Sequence, residues 1–272
     1  MISIVGCGWL GTHIATFLQQ NGVRVFGTTT RQEQLGILND LGITTLLLTV
    51  SDKGDVLVDS DDVFLSPILI ITLPFRRRFL EPTIYLDQIK GLVNRYCDLN
   101  SENKWIIFTS STSVYSLTNS FVSEDDEIII TSERQRVLYD VERYLLALMD
   151  VDVTILRCAG LYGYDRRIAH FLSGKQVANK DAYVNLIHVD DVVGITNTVI
   201  NQGIKNTTIN CVANHHPTKE ELYSFHTQKH ALPSPVFMDD AGQSNYKIVS
   251  NDKVVKDFQY CFKYTNLFTD YD

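Results

Sequence analysis

The chain has 272 residues, 44% of them apolar, and a formal net charge of −8. That length holds one large α/β domain with an appended lobe, or two small domains, and that apolar share fills a sizeable core. The acidic balance, with a pI near 5.3, excludes a nucleic-acid surface or a polybasic membrane patch as the main business of the protein.

No apolar run approaches the roughly eighteen residues of a membrane span. An apolar strand beginning at Ile2 leaves no room for a signal peptide, so a cytoplasmic location is expected. The cysteines, Cys7, Cys97, Cys158, Cys211 and Cys261, are odd in number and form no C-x-x-C pair, so they read as reduced and mostly structural thiols.

The chain opens on a short apolar strand, residues 2–5, that runs straight into Gly6-Cys7-Gly8-Trp9-Leu10-Gly11, a G-x-G-x-x-G turn. Leu10, Ile14, Phe17 and Leu18 recur at helical spacing, Asn21-Gly22 stops the helix, and residues 23–28 return as a second strand. This is a βαβ unit of about thirty residues, the context that a dinucleotide-binding turn requires. Gly6 permits the tight turn, Gly8 lets the backbone approach a pyrophosphate, and Gly11 lets helix and strand pack closely. Trp9 and Leu10 complete the turn, and the helix N-terminus offers N–H groups to the anion.

At the end of the second strand an NAD enzyme usually offers Asp or Glu to the ribose hydroxyls. Here the sequence reads Thr28-Thr29-Thr30-Arg31. Hydroxyls at Thr29 and Thr30 followed by the Arg31 cation favour a 2′-phosphate, hence NADP(H) over NAD(H); the alternative is an arginine that simply faces solvent.

Further strand-like runs fall at 45–50, 68–73, 105–109, 153–157 and 208–212, and helical patterns at 32–41, 83–100, 133–149, 190–201 and 218–228, the last opened by Thr218 with Glu221 three residues on. The alternation predicts an α/β fold, a doubly wound parallel sheet of Rossmann type. Past Val212 the chain turns polar, with Pro217, Pro233, Pro235 and Gln243-Ser244-Asn245. The expected division is a nucleotide-binding domain over 1–212, with part of a substrate lobe inserted near 161–185, and a small C-terminal lobe over 213–272 on the carboxyl edge of the sheet.

The strand at 105–109 runs into Ser110-Ser111-Thr112-Ser113, a hydroxyl cluster at the carboxyl edge where doubly wound folds place their chemistry. Arg76-Arg77-Arg78 follows the fourth strand directly on that same side. Three guanidiniums there suit a phosphate or carboxylate, or else a solvated turn pairing with Glu81 or Asp87. Arg157, Tyr162, Arg166 and Arg167 follow the sixth strand. His188 reads as a histidine that holds a loop more readily than as an acid. His215-His216 and the His226-x-x-x-His230 pair have no cysteine or carboxylate set to complete a metal site, so they are expected as exposed helix and loop histidines.

The string T-S-S-T-S-V-Y at 109–115, with G-C-G-W-L-G at 6–11, L-R-C-A-G-L-Y-G at 156–163 and N-L-I-H-V-D-D-V at 185–192, resembles the extended short-chain dehydrogenase/reductase superfamily. Within it the chain is most similar to the atypical YeeZ-like branch of NAD(P)-binding, epimerase/dehydratase-like proteins, with I-T-L-P-F-R-R at 71–77 and K-I-V-S-N-D-K at 247–253 in support. The resemblance covers nearly the whole chain in order and implies a nucleotide pocket that also draws on Leu73, Pro74, Ser110, Ala159 and Leu161. It implies a small anionic substrate such as a nucleotide-linked sugar, met by Arg76, Arg77, Tyr162, Arg166 and His188, and is compatible with a homodimer.

By the same resemblance Ser111 takes the place of the superfamily's catalytic Ser or Thr, and Tyr115 is not its catalytic tyrosine. The Tyr-x-x-x-Lys proton relay, expected roughly twenty residues later, is absent: aligning Glu142 with the family's helix glutamate puts Arg134 and Leu138 where Tyr and Lys would stand. The nearest substitute is Tyr139-x-x-x-Arg143, one helical turn apart, in which an arginine would stabilise a tyrosinate without trading protons. Two function classes follow: an NADP(H)-dependent epimerase, dehydratase or reductase working without the usual pair, and a non-catalytic binding or regulatory protein that retains the nucleotide pocket.

Overall fold

The computed structural model describes residues 1–75, 83–100, 103–238 and 245–269. In chain order its strands are β1 (Ile2–Val5), β2 (Val25–Thr29), β3 (Thr44–Val50), β4 (Val56–Val58), β5 (Ile68–Ile71), β6 (Trp105–Ser111) and β7 (Phe121–Val122), then β8 (Asp152–Cys158), β9 (Gly160–Tyr162), β10 (Gln176–Val177), β11 (Leu186–His188), β12 (Thr207–Cys211), β13 (Val236–Phe237) and β14 (Ile248–Val249). The helices are α1 (Trp9–Gln20), α2 (Glu33–Asp40), α3 (Thr83–Leu99), α4 (Glu133–Leu146), α5 (Val189–Gln202), α6 (Lys219–Lys229) and α7 (Asp252–Lys256).

The main sheet has eight strands in the order β12-β8-β6-β5-β1-β2-β3-β4. β1 pairs in parallel with both β2 and β5, so the succession of strands reverses between β1 and β5. That reversal is the switch point at whose carboxyl ends doubly wound folds bind ligands. Strands with both faces covered read as unbroken apolar runs, and so do Ile-Leu-Ile-Ile in β5 and Trp-Ile-Ile-Phe at the start of β6. The one polar group on that latter run, the Trp105 indole N–H, donates to Thr154 Oγ1 at 3.0 Å. The sheet is parallel at the pairs β1–β2, β2–β3, β1–β5 and β5–β6, whereas β4, which the sequence did not suggest, runs antiparallel to β3 at the edge.

The chain divides into two units. The first comprises Met1–Val114, Ile130–Leu156 and Val199–Thr208, and the second Tyr115–Ile129, Arg157–Thr198 and Ile209–Asp272. This differs from a boundary at 212: the second unit draws on three stretches because β8 and β12 each leave the first unit before their last residues. The second unit has its own core of Tyr162, Ile168, Val184, Leu186, Ala213, Leu222, Tyr223 and Leu267. β9 and β11 pair in parallel, as do β10 with β13 and β7 with β14. α6 begins with the expected capping box, Thr218 and Glu221 satisfying each other's backbone N–H groups. No helix among the described residues is long and apolar enough to cross a membrane.

Three elements start or stop two or more residues short of the sequence expectation, among them β5, which ends at Ile71 rather than 73. β2 begins at Val25 rather than 23, because Asn21 and Gly22 form the turn that closes α1 and residues 23–24 join it to the strand irregularly. α4 ends at Leu146 rather than 149, its last carbonyls taken up by the Ala147 N–H.

Candidate nucleotide turn and hydroxyl cluster

In the first unit β1 delivers Gly6 with φ +98°, a left-handed conformation that glycine adopts without strain. The Gly6 N–H donates to Thr28 Oγ1 at 3.1 Å and the Cys7 N–H to the Thr28 carbonyl at 2.6 Å, so the turn is pinned on the end of β2. From β5's end Thr72 Oγ1 donates to the Gly6 carbonyl at 2.5 Å. A Cβ on Gly11 would overlap that same Gly6 carbonyl and Thr72, which is the close helix–strand approach expected of the third glycine. A Cβ on Gly8, by contrast, would have only the Gly6 carbonyl near it, at 4.0 Å, and Gly8 is exposed.

α1 therefore begins at an open glycine. Gly8 has no side chain to cap the helix, and the first turn, Trp9, Leu10 and Gly11, carries no acidic residue. The first N–H groups of a helix have no intrahelical partners and carry partial positive charge. Trp9 stands over His13 with its ring edge-on at 5.1 Å. These residues fit a dinucleotide pyrophosphate: an anion finds amides, an open approach at Gly8 and no competing carboxylate. Cys7 in the turn is no nucleophile, since burial pushes its thiol up to about 12.

At the end of β2, Thr28 and Thr29 are buried, and Thr29 Oγ1 accepts from the Arg31 N–H at 3.2 Å. Arg31 itself is exposed, and its guanidinium makes no ion pair or hydrogen bond among the described residues. Leu73 and Pro74 follow β5; the Leu73 carbonyl accepts from the Tyr85 hydroxyl at 2.8 Å. Arg76 and Arg77 lie outside the described residues.

At the end of β6 the serines part. Ser110 donates to the buried Glu142 carboxylate at 2.5 Å. Ser111 Oγ lies 2.6 Å from Ser113 Oγ and accepts from the Ser113 N–H at 3.2 Å. Ser113 Oγ in turn accepts from Arg134 Nε at 3.3 Å, and the Arg134 guanidinium rests 5.5 Å over the Phe75 ring. Burial pushes the phenol of Tyr85 well above its ordinary value, with Arg134 opposing and Glu142 reinforcing the shift.

Arg134, Leu138 and Glu142 thus share one face of α4 at i, i+4 and i+8. Glu142 reaches Ser110 of β6 and Arg134 reaches Ser113 just past its end, while Leu138 between them is buried. Sequence reasoning named Arg134 only as the occupant of a tyrosine's place and did not weigh Ser113; the i, i+4, i+8 spacing was the available signal. Tyr139 lies on another face. Arg143 stacks 5.8 Å over its ring, and its hydroxyl makes no hydrogen bond among the described residues, so no recorded contact joins it to Ser111.

The remaining expected residues lie in the second unit. The Ala159 N–H donates to the Cys211 carbonyl at 2.9 Å, and Leu161 pairs with Ile187 in the β9–β11 ladder. Tyr162 is buried with its ring edge-on to His188, whereas Arg166 is exposed at a short hairpin closed on Gly163. His188 is 1% exposed; its Nδ1 accepts from the Asp190 N–H at 3.1 Å and its ring stacks on Tyr264 at 3.6 Å, the geometry of a histidine holding the start of α5. Tyr115 donates to Asn210 Oδ1 at 2.9 Å and accepts from buried Arg157 at 2.7 Å, and burial holds its phenol up at about 12. His226 departs from expectation: it is buried, because its Nε2 donates to the Leu267 carbonyl at 2.6 Å, while His215 Nδ1 accepts from the Leu267 N–H.

No family model matches the chain. Protein YeeZ of Escherichia coli K12 is 31% identical over 270 residues, which cover 97% of this chain and 96% of YeeZ. The chain belongs to the YeeZ family. Its fold is that of MoeE5 in complex with UDP-glucose and NAD, at 18% identity and a TM-score of 0.76 over 97% of this chain and 93% of that one. It is equally that of human epimerase family protein SDR39U1 (isoform 2) with NADPH, at 15% identity and a TM-score of 0.73 over 98% and 97% of the two chains.

Proposed function

We propose that this YeeZ-family chain binds NADP(H) on the turn between β1 and α1 and handles a small anionic molecule of the nucleotide-linked sugar class. The observation that carries the reading is the contrast between Gly11, where a side chain would collide with Gly6 and Thr72, and Gly8, where one would enter open space at the head of a helix. NAD with UDP-glucose in the MoeE5 structure and NADPH in that of SDR39U1 support a nicotinamide nucleotide as the class.

Arg31 supports the phosphorylated form. It stands exposed after Thr29 and Thr30, where an acidic residue would repel a 2′-phosphate. The bound nucleotide supplies hydride chemistry; the chain's own residues hold the pyrophosphate at the α1 amides, the 2′-phosphate at Arg31, and a substrate oxygen at Ser111. Tyr162 and Arg166 are assigned to substrate in the second unit, and Arg76 and Arg77 to its anionic part.

A second reading, a binding or regulatory protein, is favoured by buried Leu138 in the place of the relay lysine. Calorimetric titration with NADPH and NADH tests the first reading. Product analysis of UDP-glucose and UDP-glucuronate, followed beside nicotinamide absorbance, then separates the two: conversion of the sugar marks turnover, and tight binding without conversion marks the second.

A further inference from the structure

We infer that Ser111, Ser113 and Arg134 form an oxyanion-accepting cluster, in which a permanent positive charge replaces the proton-relay tyrosine of the superfamily. The inference rests on the nucleotide-binding reading above and deepens it by naming what the site does to a substrate oxygen.

The hydrogen-bond directions carry the argument. A guanidinium only donates and stays charged throughout the accessible pH range. Arg134 Nε donates to Ser113 Oγ, and the Ser113 N–H donates to Ser111 Oγ. The two hydroxyl oxygens are 2.6 Å apart and either can donate to the other; in the arrangement assigned to the ligand-accepting state the Ser113 hydroxyl donates to Ser111. Ser111 Oγ then accepts twice and has its own proton left to give outward. Each link polarises the next, so Ser111 becomes a stronger donor than an isolated serine. Arg134 acts through Ser113 as a polarising residue.

The surrounding groups fit this role. Two turns further along α4, Glu142 takes the Ser110 hydroxyl. Phe75 fixes the guanidinium from one side. Tyr85, which senses both Arg134 and Glu142, donates a hydrogen bond to the Leu73 carbonyl and remains neutral. The ligand class is an oxygen that carries or develops one negative charge: a carboxylate, an enolate or the oxygen of a carbonyl under attack.

The test uses full-length protein saturated with NADP⁺ and para-nitrophenol as the probe, because its ionised and neutral forms absorb differently. The expected result is that the protein binds the ionised form about tenfold more tightly than the neutral one, the gain of a hydrogen bond to a charged partner. Arg134→Met and Ser113→Ala should each remove most of that preference, and Arg134→Lys, which keeps the charge, should restore part of it. Ser113→Ala leaves the Phe75 contact in place, so it serves if Arg134→Met misfolds. Absence of any preference for the ionised probe in the wild type, or a preference that survives both Arg134→Met and Ser113→Ala, overturns the inference. Failure of NADP⁺ itself to bind overturns instead the reading on which it rests, and is scored by a separate titration without the probe.

Discussion

Gly11 packs so closely on the carbonyl of Gly6 that no side chain fits between them, whereas Gly8, three residues earlier, faces open space. The two positions should therefore fail in different ways. Gly11→Ala inserts an atom into a packed helix–strand contact, and such overpacking costs about 1–3 kcal/mol. Its melting temperature and its nucleotide affinity should fall together. Gly8→Val should cost about 1 kcal/mol, the replacement of a favoured helix N-cap residue by a poor one, yet abolish nucleotide binding by filling the approach. Thermal melts and calorimetry on the two variants check the split.

Arg31 should separate NADPH from NADH. A charge-assisted contact to a 2′-phosphate is worth about 1.5–3 kcal/mol, so the wild type should favour NADPH at least roughly tenfold. Arg31→Ala should weaken NADPH by that factor and leave NADH unchanged. Paired titrations of both nucleotides measure it, and equal wild-type affinities would refute it.

Tyr115 follows the serine cluster in sequence but is a structural group, tied to Arg157 at 2.7 Å and to Asn210 at 2.9 Å in a buried setting. Tyr115→Phe takes one hydrogen bond from each partner. Leaving buried polar groups short of partners costs about 1–3 kcal/mol. Denaturant midpoints should show that loss while nucleotide affinity stays at the wild-type value.

Lys247 donates to the Tyr115 carbonyl at 2.5 Å, and burial lowers its amine from 10.5 to about 8. A lowered lysine binds fewer protons folded than unfolded, so it is a penalty on stability that is full below about pH 8 and fades as pH rises towards 10.5. Other groups titrate in the same window, so the comparison is with Lys247→Met. Wild type should gain stability relative to that variant between pH 8 and 10.5, by on the order of 2 kcal/mol after solvent screening. Urea melts at intervals across the window give the difference directly, and a flat difference would refute the assignment.

The glycine turn between β1 and α1 was legible in the sequence because its determinants are local. Strand, glycines and helix lie within twenty residues, and each glycine's role follows from backbone geometry. The alternating strands 68–73 and 105–109 were legible for a similar reason, since a strand buried on both faces must be apolar throughout. What stayed hidden depends on long-range pairing. β4 is three residues long and gains its identity from β3. His226 looks like a surface histidine until Leu267, forty-one residues on, supplies its carbonyl. The second unit's three-part composition is likewise set by where β8 and β12 leave the sheet unit, which no local pattern announces.

Turnover is the remaining prediction, and Tyr139 is its pivot. The superfamily's chemistry needs a proton relay, and Leu138 is buried where a lysine would lower a tyrosine's pKa. Tyr139 is stacked by Arg143, and its hydroxyl makes no hydrogen bond among the described residues. General acid–base catalysis is worth about a hundred- to ten-thousandfold, so wild-type oxidation of NADPH with nucleotide sugars should be slow while binding is intact. If the Ser111–Ser113–Arg134 cluster sustains the remaining rate, Ser111→Ala and Arg134→Met should remove it, and Tyr139→Phe should not. Since arginine does not titrate in the working range, that residual rate should also lack an alkaline rise from a tyrosine. Steady-state rates for wild type and the three variants, measured across pH with NADPH, decide the matter: fast wild-type turnover that collapses in Tyr139→Phe would make the Tyr139–Arg143 pair the relay and remove the case for a charge-based site.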